Sequence, residues 1–393
     1  MKSDWEKVTL GELMTFKNGL NFTQDSNGSE YNFLGVGCFK SKNVIKNDSE
    51  LETVHILNPI DKDYLLKKDD LVFVRSNGSK ELVGRCVLIE NDISNATYSG
   101  FCIKGVLKSE KTTSKYILKN IEAGFLKEKL KHENRGTNIS NLNQEILNSL
   151  EIKLPSLNEQ DKIIETLNVW DSAIEKTEML ISEKEKMFNG VSQKIFRKCV
   201  NKHKISDYLS IRNEKCIPDD MIPLYSLTIE DGVTPKSDRY DREALIKDTD
   251  EKEYKVVYPG DIVFNPANLR WGAIARSNET KKVAVSPIYE VLSLDNSKIN
   301  SDYLTFLLTS KDKIQYYSTK TEGTLVERMA VKVDVFLNFE IEIEEDCEKQ
   351  KASAEILLAL KKEIALLKKQ LEQYKLQKQG LMQKLLTSEW RVQ

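Results

Sequence analysis

The side chains that most often carry out chemistry are sparse in this sequence. Its three histidines do not lie at metal-ligand spacing, and none accompanies a serine or cysteine nucleophile motif. Its six cysteines include no Cys-x-x-Cys pair, so neither a metal site nor a disulfide framework is indicated and a reducing compartment fits. The acidic residues Asp69, Asp70 and Glu81 form no carboxylate–lysine cluster of the kind a nuclease needs, and a capped turn or a solvated edge accounts for them. We therefore expect no catalytic site and no metal site in this chain.

Two short stretches resemble motifs of adenosylmethionine-dependent methyltransferases. FLGVGCF at residues 33–39 fits the FxGxG pattern of their cofactor loop, and FNPANLRW at 264–271 resembles the motif that grips a flipped adenine. No helical pattern follows the first stretch, where a glycine pair in a turn explains the match equally well. The second stretch lacks the second proline and the stacking aromatic of that motif. A self-contained adenine methyltransferase is therefore retained only as an alternative.

The composition indicates a soluble, cytoplasmic protein with two ordinary domains and long solvated helices. The chain has 393 residues, of which 40% are hydrophobic and 31% charged. The formal net charge is −2, so any nucleic-acid binding would have to come from local patches. The N-terminal MKSDWEK is no signal peptide, and no apolar run has membrane-spanning length.

Two stretches carry the spacing of coiled-coil helices, with apolar residues at alternating steps of four and three. The second lies 190 residues after the first (380 − 190 for the shared glycine), and the similar sequences NGVSQKIF and QGLMQKLL stand near their ends. Neither stretch contains proline, and Glu, Lys and Gln separate the seam positions. Eight of ten seam positions in each stretch are apolar or aromatic: Ile163, Leu167, Trp170, Ile174, Ile181, Phe188, Val191 and Ile195 in the first, and Leu357, Leu360, Ile364, Leu367, Leu371, Tyr374, Leu381 and Leu385 in the second.

A helix of this length cannot bury its apolar stripe alone, so the simplest arrangement pairs the two helices. If each preceding domain holds its own helix in the same way, a two-fold rotation relates the copies and the helices run antiparallel. Ile163 would then lie near Leu385, and Trp170 near Lys378. Two separate oligomerisation coils are the alternative.

The repeat continues into the globular parts of the chain. DLVF at 70–73 matches DIVF at 261–264, each followed by a polar loop with an arginine, and RGTNIS at 135–140 matches EGTLVE at 322–327. We therefore predict an α+β protein, in which two mixed α/β domains are joined by two long helices that form an antiparallel coiled coil, with an internal pseudo-two-fold repeat. The predicted boundaries are 1–155 for the first domain, 156–200 for the first helix, 201–346 for the second domain and 347–393 for the second helix.

One junction carries a resemblance to a known family. IKLPSLNEQDKIIETL at 152–167 combines a strand-like run, a proline, a Glu-Gln pair and the start of the first helix. Together with LMQKLLTSEWRV at 381–392 and the twofold repeat, it resembles the specificity subunit of type I restriction-modification systems over essentially the whole chain. The second junction, at 341–357, departs from the pattern, because it has no proline and carries Lys349-Gln350 where Glu159-Gln160 stands earlier. We expect the start of the second helix to differ accordingly.

The resemblance implies that each globular domain is a target recognition domain that reads one half of a bipartite DNA sequence. It also implies that the coiled coil sets the spacer and docks two methyltransferase subunits, which restriction subunits join in an endonuclease complex. The chain itself would be a non-catalytic subunit without a cofactor; adenosylmethionine, ATP and Mg are implied for the partner subunits only. A coiled-coil interaction scaffold without a nucleic-acid role is the main alternative.

Polar loops provide candidate contacts to double-stranded DNA. Arginine, asparagine and glutamine read base edges, whereas lysine and hydroxyl groups contact phosphates. In the first domain the candidates are Lys17, Asn18 and Asn21; Arg75, Ser76, Asn77 and Lys80; and Arg135, Thr137 and Asn138. In the second domain they are Asn265, Asn268, Arg270 and Trp271; Lys236 and Arg239; and Thr324 and Arg328. For each single residue, ordinary solvation is the alternative. On the second helix Lys368, Lys369, Lys375 and Lys378 are candidates to face DNA or, equally, a partner subunit.

Overall fold

The two stretches with coiled-coil spacing are each a single helix of 40 residues, Leu157–Phe196 and Cys347–Leu386. We call them the first and the second long helix. They are seen in a computed structural model that describes residues 5–22, 24–39, 43–79, 81–133, 141–236, 253–320 and 330–392. At about 1.5 Å per residue, each helix is about 60 Å long. No helix within the described ranges is long and apolar enough to cross a membrane.

The start of each long helix is capped by a different residue. The Oγ of Ser156, which follows a proline, accepts a hydrogen bond from the Glu159 N–H at 3.4 Å. The Oδ1 of Asp346 accepts hydrogen bonds from the N–H groups of Glu348 at 2.9 Å and Lys349 at 3.3 Å. Both side chains satisfy N–H groups that have no partner inside the helix. The two starts therefore differ as the sequence predicts, because aspartate replaces the Pro-Ser pair.

The chain divides into two compact units, and both long helices are shared between them. The first unit contains Met1–Lys176 and Leu371–Gln393, and the second contains Thr177–Gln370. Each unit thus combines a globular α/β part with a segment of each long helix. The predicted boundaries of the globular domains stay a prediction.

The described residues of the first unit form ten strands in three sheets. They are β1 (Glu6–Thr9), β2 (Met14–Asn18), β3 (Gln24–Leu34), β4 (Val44–Ile45), β5 (Glu52–Ile56), β6 (Leu71–Val74), β7 (Cys86–Ile89), β8 (Ala96–Tyr98), β9 (Cys102–Leu107) and β10 (Glu151–Leu154). The sheet orders are β2-β9-β6-β7-β4, β5-β3-β8 and β1-β10. The short helices are α1 (Leu10–Leu13), α2 (Ser114–Glu122), α3 (Phe125–Glu133) and α4 (Gln144–Asn148).

The second unit contains eleven described strands with a similar succession. They are β11 (Asn201–Lys204), β12 (Leu209–Ile211), β13 (Lys215–Cys216), β14 (Leu224–Thr228), β15 (Gly232–Pro235), β16 (Tyr254–Val257), β17 (Ile262–Phe264), β18 (Ile274–Arg276), β19 (Val283–Val285), β20 (Glu290–Leu294) and β21 (Glu340–Ile343). The sheet orders are β12-β20-β17-β18, β13-β16-β19-β14-β15 and β11-β21. The described short helices are Ser301–Leu308, Lys311–Thr319 and Val333–Leu337.

In each unit the first strand of the globular part pairs with the last. β1 pairs antiparallel with β10, and β11 pairs antiparallel with β21. Since β10 and β21 each lead directly into a long helix, these ladders fasten the start of each domain to the point where its helix begins. The two copies therefore share one architecture, which confirms the predicted fold class and internal repeat.

The start of the first long helix and the end of the second are part of the core of the first unit. Ile163, Leu167 and Leu385 are buried in one cluster with Phe73 of β6 and Tyr116 of α2. This cluster places Ile163 and Leu385 together, as the antiparallel arrangement predicts.

Two further contacts establish the direction of the helices in the first unit. The ring of Trp170 packs edge-on against that of Tyr374, with 5.9 Å between centroids, and Asp171 pairs with Lys378. Residue numbers rise from Ile163 to Trp170 on the first long helix while those of their neighbours fall from Leu385 to Tyr374 on the second, so the helices are antiparallel. The neighbour of Trp170 is thus Tyr374, one turn from the predicted Lys378.

The helices also pair within the second unit. Lys184 forms a salt bridge with Glu363 at 2.7 Å, while Ile195 and Ala354 belong to one apolar cluster. From Lys184 to Ile195 the numbers rise, while from Glu363 to Ala354 they fall, so the helices are antiparallel here as well. All sixteen apolar and aromatic seam residues named above are buried or half-buried.

A buried glutamine fastens the first long helix to its domain. The carboxamide of Gln160, fully buried, accepts a hydrogen bond from Thr112 Oγ1 at 2.8 Å. It donates to the carbonyl oxygens of Lys111 at 2.9 Å and Pro155 at 3.0 Å. Burying a carboxamide is costly unless its polar atoms are paired, and here both the oxygen and the nitrogen are. The Glu-Gln motif therefore includes a structural clamp.

The glutamate of the motif connects three distant parts of the first unit. Glu159 accepts hydrogen bonds from the indole N–H of Trp5 at 3.2 Å and from the guanidinium of Arg391 at 2.8 Å. Arg391 follows the second long helix, so its end is tied to the start of the first.

At the second junction the glutamine is retained and the glutamate is not. Gln350, 1% exposed, donates to the carbonyl of Glu344 at 2.6 Å and accepts from the Asn300 N–H at 2.9 Å. Lys349 instead lies 3.8 Å from the carboxylates of Glu344 and Asp346. A buried glutamine therefore joins each long helix to its domain. The residue before it is Glu159 in one copy and Lys349 in the other, and each has partners of its own.

Candidate nucleic-acid interface

Three loops of the first unit converge at the ends of β2, β6 and β8. The backbone N–H of Arg75, directly after β6, donates to the carbonyl of Phe101 at 2.8 Å. The N–H of Gly19, directly after β2, donates to the carbonyl of Cys102 at 3.0 Å. Leu20 and Ser99 form an isolated bridge. We call residues 18–21, 75–77 and 99–101 the first loop cluster; the turn at 99–101 was missed by the sequence analysis.

The amide side chains of this cluster are oriented by neighbouring groups. The Oδ1 of Asn18 accepts a hydrogen bond from Gln144 Nε2 at 3.1 Å. Asn21 is exposed and its carboxamide lies against Gly100, where a Cβ atom would stand 2.2 Å from the Asn21 Oδ1. A side chain at position 100 would therefore force the Asn21 carboxamide to shift. Asn77 accepts from the Ser79 N–H at 2.8 Å, which leaves its amide group as a donor.

Lys17 has partners within the chain. Its ammonium is 3.0 Å from the Asp63 carboxylate and 4.0 Å from the ring centroid of Tyr64. The hydrogen bond to Asp63 raises the pKa of Lys17 above its ordinary value. Of the first-loop candidates, Asn18 and Asn21 are therefore better placed than Lys17 to meet a ligand.

A buried aspartate caps the turn that precedes the central strand of each unit. Asp70 accepts from the Lys67 N–H, and Asp261 accepts from the Tyr258 N–H, both at 2.8 Å. The preceding residues, Asp69 and Gly260, adopt the left-handed region with φ of 69° and 86°. Asp70 thus caps a turn, which agrees with the non-catalytic interpretation of this acidic pair.

The corresponding loop of the second unit follows β17 and includes Asn265 to Trp271. The Oδ1 of Asn265 accepts from the Ala267 N–H at 3.0 Å, and a 3-10 turn spans Leu269–Trp271. The Arg270 guanidinium lies 4.2 Å from the ring of Trp271, whose side chain is 57% exposed. Stacked arginine and tryptophan present flat surfaces suited to bases as well as charge.

The third loop of each domain lies largely outside the described residues. Five candidates in these loops lie outside the described residues: Arg135, Thr137, Asn138, Thr324 and Arg328. Two candidates in other loops also lie outside them, Lys80 and Arg239. The chain beyond these loops returns to the same place in both units, because the N–H of Leu142 donates to the Arg75 carbonyl at 2.9 Å and that of Val331 to the Pro266 carbonyl at 3.0 Å. Lys236 follows β15, whose partner strand β14 lies beside β19.

Lys378 was expected to face DNA or a partner, and this expectation is wrong. Its ammonium pairs with Asp171 and lies 3.8 Å from Glu122, which also pairs with Lys119 at 3.2 Å. The side chains of Lys378 and Lys119 are 15% and 8% exposed. The sequence placed Lys378 in the seam, but only the fold brings α2 alongside to supply carboxylates.

Each methyltransferase-like stretch consists of the end of a strand and the turn or loop that follows it. FLGVGCF spans the end of β3 and a 3-10 turn over Val36–Phe39, with Leu34 and Phe39 buried. FNPANLRW forms the end of β17 and the loop just described. Among the described residues, no group of three or more His, Cys, Asp and Glu side chains could hold a metal ion.

Comparison with known proteins defines the class to which this fold belongs. Residues 2–183 match the family model of the type I restriction modification DNA specificity domain. The StySPI specificity subunit of Salmonella potsdam is 28% identical over 202 residues, which cover 49% of this chain and 42% of that protein. The MjaVIII specificity subunit of Methanocaldococcus jannaschii is 24% identical over 421 residues, which cover 99% of this chain and 93% of the relative. Both relatives are type I restriction enzyme specificity subunits.

Solved structures share the fold over nearly the whole chain. The type I S subunit from M. genitalium matches with a TM-score of 0.57 and 15% identity, covering 98% of this chain and 96% of that one. A chain from a study of complex assembly and conformational transition of the type I restriction-modification system matches with a TM-score of 0.59 and 13% identity, covering 97% of both.

These findings confirm the resemblance drawn from the junction motif. The chain is similar to type I restriction enzyme specificity subunits over 99% of its length, and residues 2–183 match the family model of the specificity domain.

Proposed function

We propose that this chain is the DNA-reading subunit of a type I restriction-modification complex, in which domains 1–155 and 201–346 each read one half of a bipartite target. The observation that carries the proposal is the repeated loop arrangement. In both units a polar loop follows a buried central strand and is hydrogen-bonded to the residue at which a third loop returns. The donors in these loops, among them Arg75, Asn21 and Arg270, are of the types that read base edges. Because the two sets differ in sequence, two unlike half-sites are expected.

The long helices are the proposed docking surface for two methyltransferase subunits. In the second unit Leu180, Met187, Ile356 and Leu366 are between 43% and 58% exposed. Each stands one residue before a seam position, so they line the same flank of their helices. An exposed apolar flank of this kind favours a helical partner. The length of the helices would set the spacer between the half-sites.

In this proposal the chemistry belongs to the partners. Methyl transfer from adenosylmethionine would take place on the methyltransferase subunits, and ATP- and Mg-dependent cleavage on restriction subunits, in the cytoplasm. A scaffold without a nucleic-acid role would use the same apolar flank but would have no need of the polar loops.

The test is to map DNA methylation directed by the chain together with its methyltransferase. We expect methylation at one bipartite motif. Exchange of residues 1–155 for the matching part of the Methanocaldococcus relative should change one half of the motif and leave the other half and the spacer unchanged. Methylation without a sequence preference would favour the scaffold, and adenosylmethionine binding by the chain alone would favour the methyltransferase alternative.

A further inference from the structure

Both units contain the same tight turn between equivalent strands. Ser99–Cys102 joins β8 to β9, and Ser286–Tyr289 joins β19 to β20. The Cys102 N–H donates to the Ser99 carbonyl at 2.9 Å, and the Tyr289 N–H to the Ser286 carbonyl at 3.0 Å. The turns are 187 residues apart (286 − 99) and share only their serine. The third position of each turn is therefore structurally equivalent.

That third position carries an exposed apolar side chain in both copies. Phe101 is 56% exposed and Ile288 is 63% exposed. A single exposed apolar residue is ordinary on a protein surface and needs no explanation. Here the apolar character recurs at equivalent positions although both neighbouring residues differ, Gly100 against Pro287 and Cys102 against Tyr289. Folding does not require it, because neither side chain is part of a core cluster.

Phe101 and Ile288, which we call the turn tips, lie beside the polar loops that are proposed to read bases. The carbonyl of Phe101 accepts hydrogen bonds from the N–H groups of Arg75 at 2.8 Å and Ser76 at 3.4 Å. In the second unit Phe264, the last residue before the Asn265–Trp271 loop, pairs with Glu290, which stands two residues after Ile288. Each tip is thus held rigidly beside a loop rich in hydrogen-bond donors.

The chemistry of the DNA grooves indicates what such a tip would contact. Arginine and asparagine read the hydrogen-bonding edges of purines, whereas the apolar feature of the major groove is the 5-methyl group of thymine. A closed turn also loses little conformational freedom on binding, so its contact is not offset by ordering a flexible loop.

We propose that Phe101 and Ile288 each contact the 5-methyl group of a thymine in the half-site read by their own domain. The inference rests on the proposed function and adds a specificity-determining residue to each domain.

The test uses the chain assembled with its methyltransferase and duplexes that carry the mapped target. Each thymine of one half-site is replaced in turn by deoxyuridine, which lacks only the methyl group. Binding is measured by fluorescence anisotropy at several salt concentrations. We expect Phe101→Ala to weaken binding about tenfold, as for loss of one base contact. One deoxyuridine should weaken the unaltered chain similarly and have no further effect on the variant. Ile288→Ala should behave in the same way in the other half-site.

Matched controls are Leu57→Ala, 58% exposed in the first unit, and Val200→Ala, 79% exposed in the second. Leu57 follows β5 at the end of the β3–β5 ladder opposite to Phe33, whereas the Ser99 turn lies beyond the end where Leu34 pairs with Tyr98. Both controls should bind like the unaltered chain. The salt dependence should stay unchanged in all four variants, since no phosphate contact is removed.

Two kinds of result would overturn the inference while leaving the proposed function standing. One is a Phe101→Ala variant that binds like its control, or that loses equal affinity on thymine and deoxyuridine duplexes. The other is a pair of mapped half-sites without thymine. An unaltered complex that binds no defined sequence would instead overturn the proposed function and this inference with it.

Discussion

Replacing Gln160 by leucine should loosen the first long helix from its domain. The substitution keeps a similar volume and removes three hydrogen bonds, one from Thr112 and two to the carbonyls of Lys111 and Pro155. At about 1 kcal/mol net for each bond, the local loss of stability is about 3 kcal/mol. Gln350→Leu removes two such bonds, to Glu344 and from Asn300, so its loss should be about 2 kcal/mol.

Hydrogen exchange measures this loss where it occurs. A 45.1 kDa chain of two units is not expected to unfold in one step, so a global melting temperature would be a poor measure. Backbone amides at the start of the first long helix should exchange roughly 100-fold faster in Gln160→Leu, since every 1.4 kcal/mol is about tenfold. Amides of the Gln350 junction should be unchanged by that substitution.

The control is Gln373→Leu, at an exposed position of the second long helix. It should alter exchange at neither junction. The reasoning would be refuted if Gln160→Leu exchanged within about twofold of the unaltered chain, or if Gln350→Leu had the larger effect at its own junction.

Two predictions concern the buried ion cluster of the first unit. Lys378→Met should destabilise the first unit by about 2 kcal/mol, a value between those of buried and exposed ion pairs because the Asp171 side chain is 39% exposed. Hydrogen exchange of the α2 backbone amides measures this loss, and unchanged exchange there would contradict the prediction. Although burial opposes its charged form, the nearby Lys119 lowers the pKa of Asp171 below the ordinary 3.8. Its stabilising contribution is therefore complete above about pH 4 and is lost as the pH falls through the lowered pKa, so Asp171→Asn should reduce the acid-induced loss of stability below about pH 4.

The elements that the sequence predicted well depend on local periodicity. The seam from Ile163 to Ile195 repeats in steps of three and four, and that spacing alone determines a helix with one apolar stripe. The equal strand motifs DLVF and DIVF likewise identify two related buried strands. Gln160 was also found from sequence, as part of a motif, but its role as a clamp depends on Thr112 and Lys111, which lie 48 and 49 residues away.

The contacts that the sequence did not predict all depend on distant neighbours. The sequence placed Lys378 in the seam, but its partners Asp171 and Glu122 follow only from the packing of the first long helix and α2 beside it. Lys17 looked available until Asp63 was found as its partner. Phe101 carries no motif, and its place beside Arg75 follows only from the pairing of β6 with β9.

The sequence by itself determined that this chain has two copies of one plan, each ending on a long amphipathic helix, because hydrophobic period and repeated motifs are local properties of the chain. Only the tertiary structure decided which polar side chains remain available for a ligand and which are paired with other groups of the protein. The physical reason is that the partner of a charged or amide group is set by strand register and helix packing, which bring together residues far apart in the chain.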